Sequence, residues 1–128
     1  MNSEIYQEMI LDRYKNPINS GSVSNADASS KDYNPSCGDA IEIQMKVSDG
    51  VVENIKFQGQ GCAISQSSVD ILLDMVKSKN LDEVKNITPE DFLKRLDIEL
   101  SPLRMRCALL GLKVFKTTIY TYLGNETK

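Results

Sequence analysis

Ala40-Ile-Glu-Ile-Gln-Met-Lys-Val47, followed by Ser48-Asp49-Gly50 and then Val51-Val-Glu-Asn-Ile-Lys-Phe57, is the stretch that decides the fold. Ile41, Ile43, Met45 and Val47 alternate with Glu42, Gln44 and Lys46, the period-two pattern of a half-buried strand. Ser48-Asp49-Gly50 supplies a turn, and residues 51–57 return as a second strand, so the pair reads as a hairpin. Gly59-Gln60-Gly61 breaks the second strand. From Cys62 the period becomes helical, with Ile64, Val69, Leu72, Leu73, Met75 and Val76 broadly on one face of a helix ending near Lys79-Asn80.

Working outward, residues 3–15 predict an amphipathic helix carrying Tyr6, Met9, Ile10 and Tyr14, with Asn2 or Ser3 as cap. Asn16-Pro17 ends it, because proline disfavours helical backbone in the residue before it. Residues 18–33 are rich in Ser, Asn, Asp and Gly and read as a loop or irregular extended segment, mobile when the site is empty, in which Val23 could anchor a short edge strand. Beyond the central helix, residues 81–87 suggest a short helical turn. Thr88-Pro89-Glu90-Asp91 has a cap residue, an N-terminal proline and acids at the positive end of a helix carrying Phe92, Leu93 and Leu96. Pro102 opens a last helix with Met105, Leu109, Leu112, Phe115, Ile119 and Tyr122 as its apolar stripe. Strands early and helices late indicate one α+β domain over residues 1–128, with helices packed on one face of a small antiparallel sheet.

Composition narrows the chemistry. The 128 residues are 41% hydrophobic and 26% charged, ordinary for a globular domain that buries a core. A net charge of −3 gives no electrostatic footprint for nucleic acid, and no apolar run approaches the roughly 18 residues of a membrane span. The opening residues mix acids into their apolar positions, unlike a signal or transit peptide, so the expected location is cytoplasmic. The count of zero histidines is the most restrictive: it removes the usual catalytic triads and every His-containing metal site.

What remains are three cysteines, an odd number that argues against a disulfide framework. Cys37 and Asp39 stand two apart in Asn34-Pro-Ser-Cys-Gly-Asp39, a loop that could aim a thiol and a carboxylate at one space. Cys62 follows two glycines and opens a helix, where unpaired N–H groups favour a thiolate. Cys107 lies early in the last helix, beside Arg104 and Arg106, whose charges favour a thiolate or an acidic partner. Each also has a plain structural reading: a turn in which Asp39 bonds its own backbone, two core thiols, and two solvated cations. If the three loci converge at one end of the sheet, Cys37, Asp39, Cys62 and Cys107 supply three sulfurs and one oxygen. That set suits tetrahedral Zn²⁺ or an iron–sulfur cluster. The long spacings exclude a zinc ribbon built on C-x₂-C pairs.

The three motifs Asn34-Pro-Ser-Cys-Gly-Asp39, Gly59-Gln-Gly-Cys-Ala-Ile-Ser65 and Arg106-Cys107-Ala108, the last preceded by Leu100-Ser-Pro-Leu-Arg104, resemble the U-type iron–sulfur scaffold family. That family comprises IscU, SufU and the N-terminal domain of NifU, and the resemblance covers essentially the whole chain. It implies a three-stranded antiparallel sheet with helices on one side, and one exposed site built from Cys37, Asp39, Cys62 and Cys107. It implies a scaffold that accepts sulfur from a cysteine desulfurase, assembles a 2Fe-2S cluster and transfers it to iron–sulfur acceptor proteins. The alternative is a zinc-dependent sulfurtransferase of the SufU type, and a third reading is a structural zinc domain that unfolds when its metal is removed. Arg106 stands where IscU has histidine and resembles SufU, whereas the 44 residues between Cys62 and Cys107 match IscU, without the SufU insertion. The IscU likeness points to Cys107 as persulfide acceptor and the SufU likeness to Cys37. An Hsp70-type chaperone is a further implied partner, on an altered motif: the IscU Leu-Pro-Pro-Val-Lys segment reads Leu100-Ser101-Pro102-Leu103-Arg104 here.

Overall fold

A computed structural model of the chain describes residues 3–36 and 38–126, with side chains from residue 8 to residue 124 apart from residue 37. The hairpin is present as β2 (Asp39–Ser48) and β3 (Val51–Gln60). Asp49 and Gly50 join them at φ 52° and 75°, the two positive angles that let a two-residue turn match the twist of its strands. Ile41, Ile43 and Met45 are fully buried on the inner face, as their alternation requires. The register shifts between Lys46 and Val47, which pair with Asn54 and Val52, leaving Glu53 as the extra residue of a bulge.

Residues 18–27 are irregular, as their composition suggests, but the rest of that segment is not loop. Ala28–Asn34 form β1, an edge strand antiparallel to β2, with Ala28 opposite Met45 and Asn34 opposite Asp39. Only Ala28 of this strand is fully buried, so the ladder with β2 holds it rather than an apolar face, and Lys113 reaches Asp32 at 2.9 Å. The approach to β1 is also tied down. Phe57 N–H donates to the Asn19 carbonyl and Gly21 N–H to the Phe57 carbonyl, each at 2.9 Å. Val23 anchors as expected, but as a single buried residue whose N–H donates to Gln44 Oε1 at 2.8 Å.

The sheet order is β1-β2-β3. The helices are α1 (Ser3–Lys15), α2 (Ala63–Val76), α3 (Leu81–Val84), α4 (Pro89–Leu96) and α5 (Pro102–Glu126). α5 packs on β1 and β2, α2 packs on β3 and on α5, and α1 and α4 pack against α2. The sheet with helices on one face is therefore as expected, and its core includes Ile55, Val69, Leu72, Leu73, Phe92, Phe115 and Ile119.

Two helix faces differ from their sequence readings. On α5, Leu112, Phe115 and Ile119 are buried as their spacing predicts, but the buried face also takes in Cys107, Leu110, Gly111, Val114 and Thr118, while Met105 is exposed because the first turn of α5 projects into solvent. On α1, Ile10 is buried but Met9 and Tyr14 face outward. Polar contacts hold α1 instead: Arg13 bridges Asp70 and Asp74 at 2.7 Å each, and the Ser67 hydroxyl donates to the Ile10 carbonyl at 2.6 Å. Burial alone would lower the Arg13 pKa, but hydrogen bonds and charge from Asp70 and Asp74 outweigh it and raise it. That network explains why α2 buries Asp70 and Ser67.

Candidate metal centre

Asp39 is the first residue of β2, paired with Asn34 across the β1–β2 turn. That turn is closed by Gly38, at φ +71°, whose N–H donates to the Asn34 carbonyl at 2.9 Å. Asn34 also accepts the Ser36 N–H on its side chain at 3.0 Å, a local turn bond. The Asp39 carboxylate is fully buried and reaches across to the next element. Its Oδ1 accepts the Cys62 N–H at 2.7 Å, and the Cys62 thiol donates to Oδ2 at 3.5 Å.

The Gly59-Gln60-Gly61 junction, where β3 ends and Gly61 bends the chain towards α2, makes this contact geometrically possible. Gly61 has φ +137°, and a Cβ there would overlap Asp39 Oδ1 and stand 2.8 Å from Asp39 Cα. At Gly59 a Cβ would overlap the Ala40 carbonyl oxygen and lie 2.8 Å from Gln66 Oε1. Gln66, buried on α2, donates from Nε2 to the Gln60 carbonyl at 3.2 Å and to Ser65 Oγ at 3.0 Å. The turn is thus gripped by β2 on one side and by Gln66 on the other. Sequence reading missed Gln66; a lone glutamine at a helix start carries no periodic or motif signal.

Cys62 is the N-cap of α2, in extended backbone, and Ser65 N–H donates to its Sγ at 3.4 Å. A sulfur in that position faces the N-terminal N–H groups of the helix and the positive end of its dipole. Cys107 comes to the same place from α5 and is only 3% exposed. Asp39, Cys62 and Cys107 each place one ligand atom within 4.8 Å of the others. Two sulfurs and a carboxylate oxygen that close together form a thiophilic donor set with room for one ion among them. Cys37, the remaining site residue named from the sequence, lies outside the described residues. Arg104 and Arg106 are both exposed on the first turn of α5. A cleft of about 300 Å³ touches the far side of the Gly59–Gly61 turn, but its lining of Arg13, Tyr14, Phe57, Gln60 and Gln66 includes none of the three ligating residues.

An α+β fold in which separate β2, α2 and α5 residues bring a carboxylate and two thiols together defines a class of metal- or cluster-binding protein. The chain belongs to the NifU-like N terminal domain family, whose sequence model matches residues 5–128. It is 36% identical to the iron-sulfur cluster assembly scaffold protein IscU of Escherichia coli (strain K12), over 91% of this chain and 93% of that one. It is 30% identical to the zinc-dependent sulfurtransferase SufU of Bacillus subtilis (strain 168), over 88% of this chain and 87% of that one. Among solved structures, a putative scaffold protein for the SUF system from Fervidobacterium islandicum AW-1 superposes with a TM-score of 0.76 at 25% identity, covering 93% of this chain and 99% of its own. A nitrogen-fixing NifU-like N-terminal protein from Brucella abortus shares the fold with a TM-score of 0.76 at 21% identity, over 95% and 96% of the two chains. No helix among the described residues is long and apolar enough to cross a membrane.

Proposed function

We propose that residues 1–128 form one scaffold domain that assembles a 2Fe-2S cluster on Cys37, Asp39, Cys62 and Cys107 and passes it to iron–sulfur acceptor proteins. The observation that carries this reading is the convergence of the Asp39, Cys62 and Cys107 ligand atoms within 4.8 Å. Cys37 stands two residues before Asp39 in the chain and is the remaining sulfur donor the sequence offers. The cluster is cargo. Asp39 suits a site that must release it, because a hard carboxylate binds iron less tightly than a thiolate would.

Sulfur arrives, in this reading, from a cysteine desulfurase. A thiolate of Cys107 or Cys37 attacks the outer sulfur of the desulfurase persulfide, a new S–S bond forms, and the desulfurase thiolate leaves. Mass spectrometry of single Cys→Ser variants after incubation with desulfurase and cysteine identifies which residue takes the sulfur. An Hsp70-type chaperone is a further partner of this reading, through the exposed start of α5 and its altered Leu100–Arg104 motif. The compartment proposed is the cytoplasm.

Zinc-dependent sulfur transfer is the second reading. It is favoured by the likeness to SufU and by Arg106 in place of a histidine before Cys107. There the same four residues hold Zn²⁺, which keeps the thiolates deprotonated and lets one exchange sulfur. Anaerobic reconstitution with iron and sulfide, followed by transfer to an apo-ferredoxin, separates the two. Visible charge-transfer bands with transfer carry the scaffold. Retained zinc with desulfurase stimulation and no cluster carries the sulfurtransferase, and no uptake of either metal defeats both.

A further inference from the structure

Gly111 stands in the interior of the 25-residue helix α5, where glycine is unfavourable relative to alanine because it leaves more backbone freedom to be lost on folding. Its environment supplies the offset. A Cβ at Gly111 would lie 2.8 Å from Val69 Cβ, 2.9 Å from Val69 Cγ2 and 3.2 Å from Val69 Cα. These are atoms at or next to the α2 backbone, which cannot swing aside as a flexible side-chain tip can. α2 and α5 therefore approach at this point as closely as the missing methyl allows.

The same two helices carry the two thiols. Cys107 lies one turn before Gly111 on the same face of α5, and Cys62 caps α2 two turns before Val69. At 1.5 Å rise per residue the contact is about 6 Å along α5 from Cys107 and about 10 Å along α2 from Cys62. Restoring ordinary contact around a methyl at 111 needs the helices to part locally by about 0.6 Å, and a close-packed interior transmits such strain to its neighbours. Zinc–ligand distances hold to within about 0.2 Å of their standard values.

We infer that Gly111 is a positioning residue: its close packing on Val69 sets the separation at which Cys62 and Cys107 meet one ion. The inference rests on the metal-binding reading above and adds a determinant outside the ligand set. Its test uses the full chain as wild type, Gly111→Ala, and the double variant Gly111→Ala/Val69→Gly, which removes the Val69 Cβ and Cγ2 that the new methyl would meet. Zn²⁺ affinity is measured by competition with a chromophoric chelator, and geometry by the thiolate-to-metal and d–d bands of the Co²⁺ form.

Gly111→Ala should bind Zn²⁺ at least about tenfold more weakly, the scale of supporting-residue substitutions at zinc sites, with shifted Co²⁺ bands. The urea midpoint of the metal-free protein should move little, since the gain in helix propensity opposes the crowding. The double variant should regain wild-type affinity and spectrum. Wild-type binding and bands in Gly111→Ala overturn the inference, as does equal loss in the single and double variants. If Gly111→Ala does not fold, the double variant decides: wild-type bands support the inference and altered bands overturn it. A wild-type chain that takes up no metal defeats the metal-binding reading itself and this inference with it.

Discussion

Replacing Gly61 by alanine probes the junction on which the site is built. Two costs add. The backbone at φ +137° lies in a region that side-chain-bearing residues avoid, which is worth about 1–3 kcal/mol. The new methyl also occupies the space of Asp39 Oδ1, so the carboxylate must move and the Cys62 N–H loses its acceptor at 2.7 Å. A hydrogen bond to a charged group contributes about 1.5–3 kcal/mol. Together these predict a loss of about 3–5 kcal/mol, a large share of the roughly 5–15 kcal/mol that stabilises a domain. With an m-value near 2 kcal/mol/M, the urea midpoint of the metal-free protein should fall by roughly 2 M. Zn²⁺ binding should weaken in parallel, because Asp39 and Cys62 no longer face each other. A variant within about 0.5 kcal/mol of wild type would refute the close-approach argument. A variant that unfolds earlier yet binds Zn²⁺ unchanged would refute the claim that the turn orients the ligands.

Other expectations follow from the same geometry. Asp39→Ala should lengthen the lifetime of a reconstituted cluster and slow its transfer to apo-ferredoxin, because it removes the hardest ligand; equal or faster transfer counts against that role. Zn²⁺ at about 100 times its Kd should raise unfolding stability by about 2.7 kcal/mol, and Cys62→Ser or Cys107→Ser should cancel most of that gain in a thermal or urea melt. Burial raises the Asp74 pKa, but hydrogen bonds from Asn19 and Arg13 and the charges of Arg13 and Lys77 outweigh it and hold it below 3.8. Its contribution is therefore complete above about pH 4 and is lost as pH falls through the depressed value. Asp74→Asn should flatten the acid limb of stability below pH 4, and an unchanged limb would show that Asp74 does not couple α1 to α2. Gly124→Ala, where a Cβ meets nothing within 4 Å, should be neutral or stabilising by a few tenths of a kcal/mol, in contrast to Gly61→Ala.

Legibility in the sequence followed local physics. Alternation from Ile41 to Val47 marked the inner face of β2, because a strand buried on one side must repeat every second residue. Thr88-Pro89-Glu90-Asp91 marked the start of α4, since capping uses only neighbouring atoms, and the Thr88–Asp91 capping box is formed. Gly61 bends the chain before Cys62 as the glycines suggested, although Gly59 and Gln60 stay in β3, and Cys62 caps α2 as its place in the chain implied. β1 escaped notice because an edge strand of Ser, Lys and Asp is held by its backbone ladder with β2, which leaves no apolar period to read. Met105 and Met9 were misread as core for a related reason: helical period names a face, and only packing decides whether another element covers it.

By itself, then, the chain specified its strands and helix starts, its lack of histidine, and the residue types able to ligate a soft metal. Only the tertiary structure decided that Asp39, Cys62 and Cys107 meet, that Gln66 braces the turn between two of them, and that Val69 and Gly111 set the helix spacing behind them. The division has one physical cause. Propensity, capping and turn chemistry act over a few residues along the backbone, whereas ligand geometry depends on distances between elements that are dozens of residues apart and are brought together only by burial of a common core.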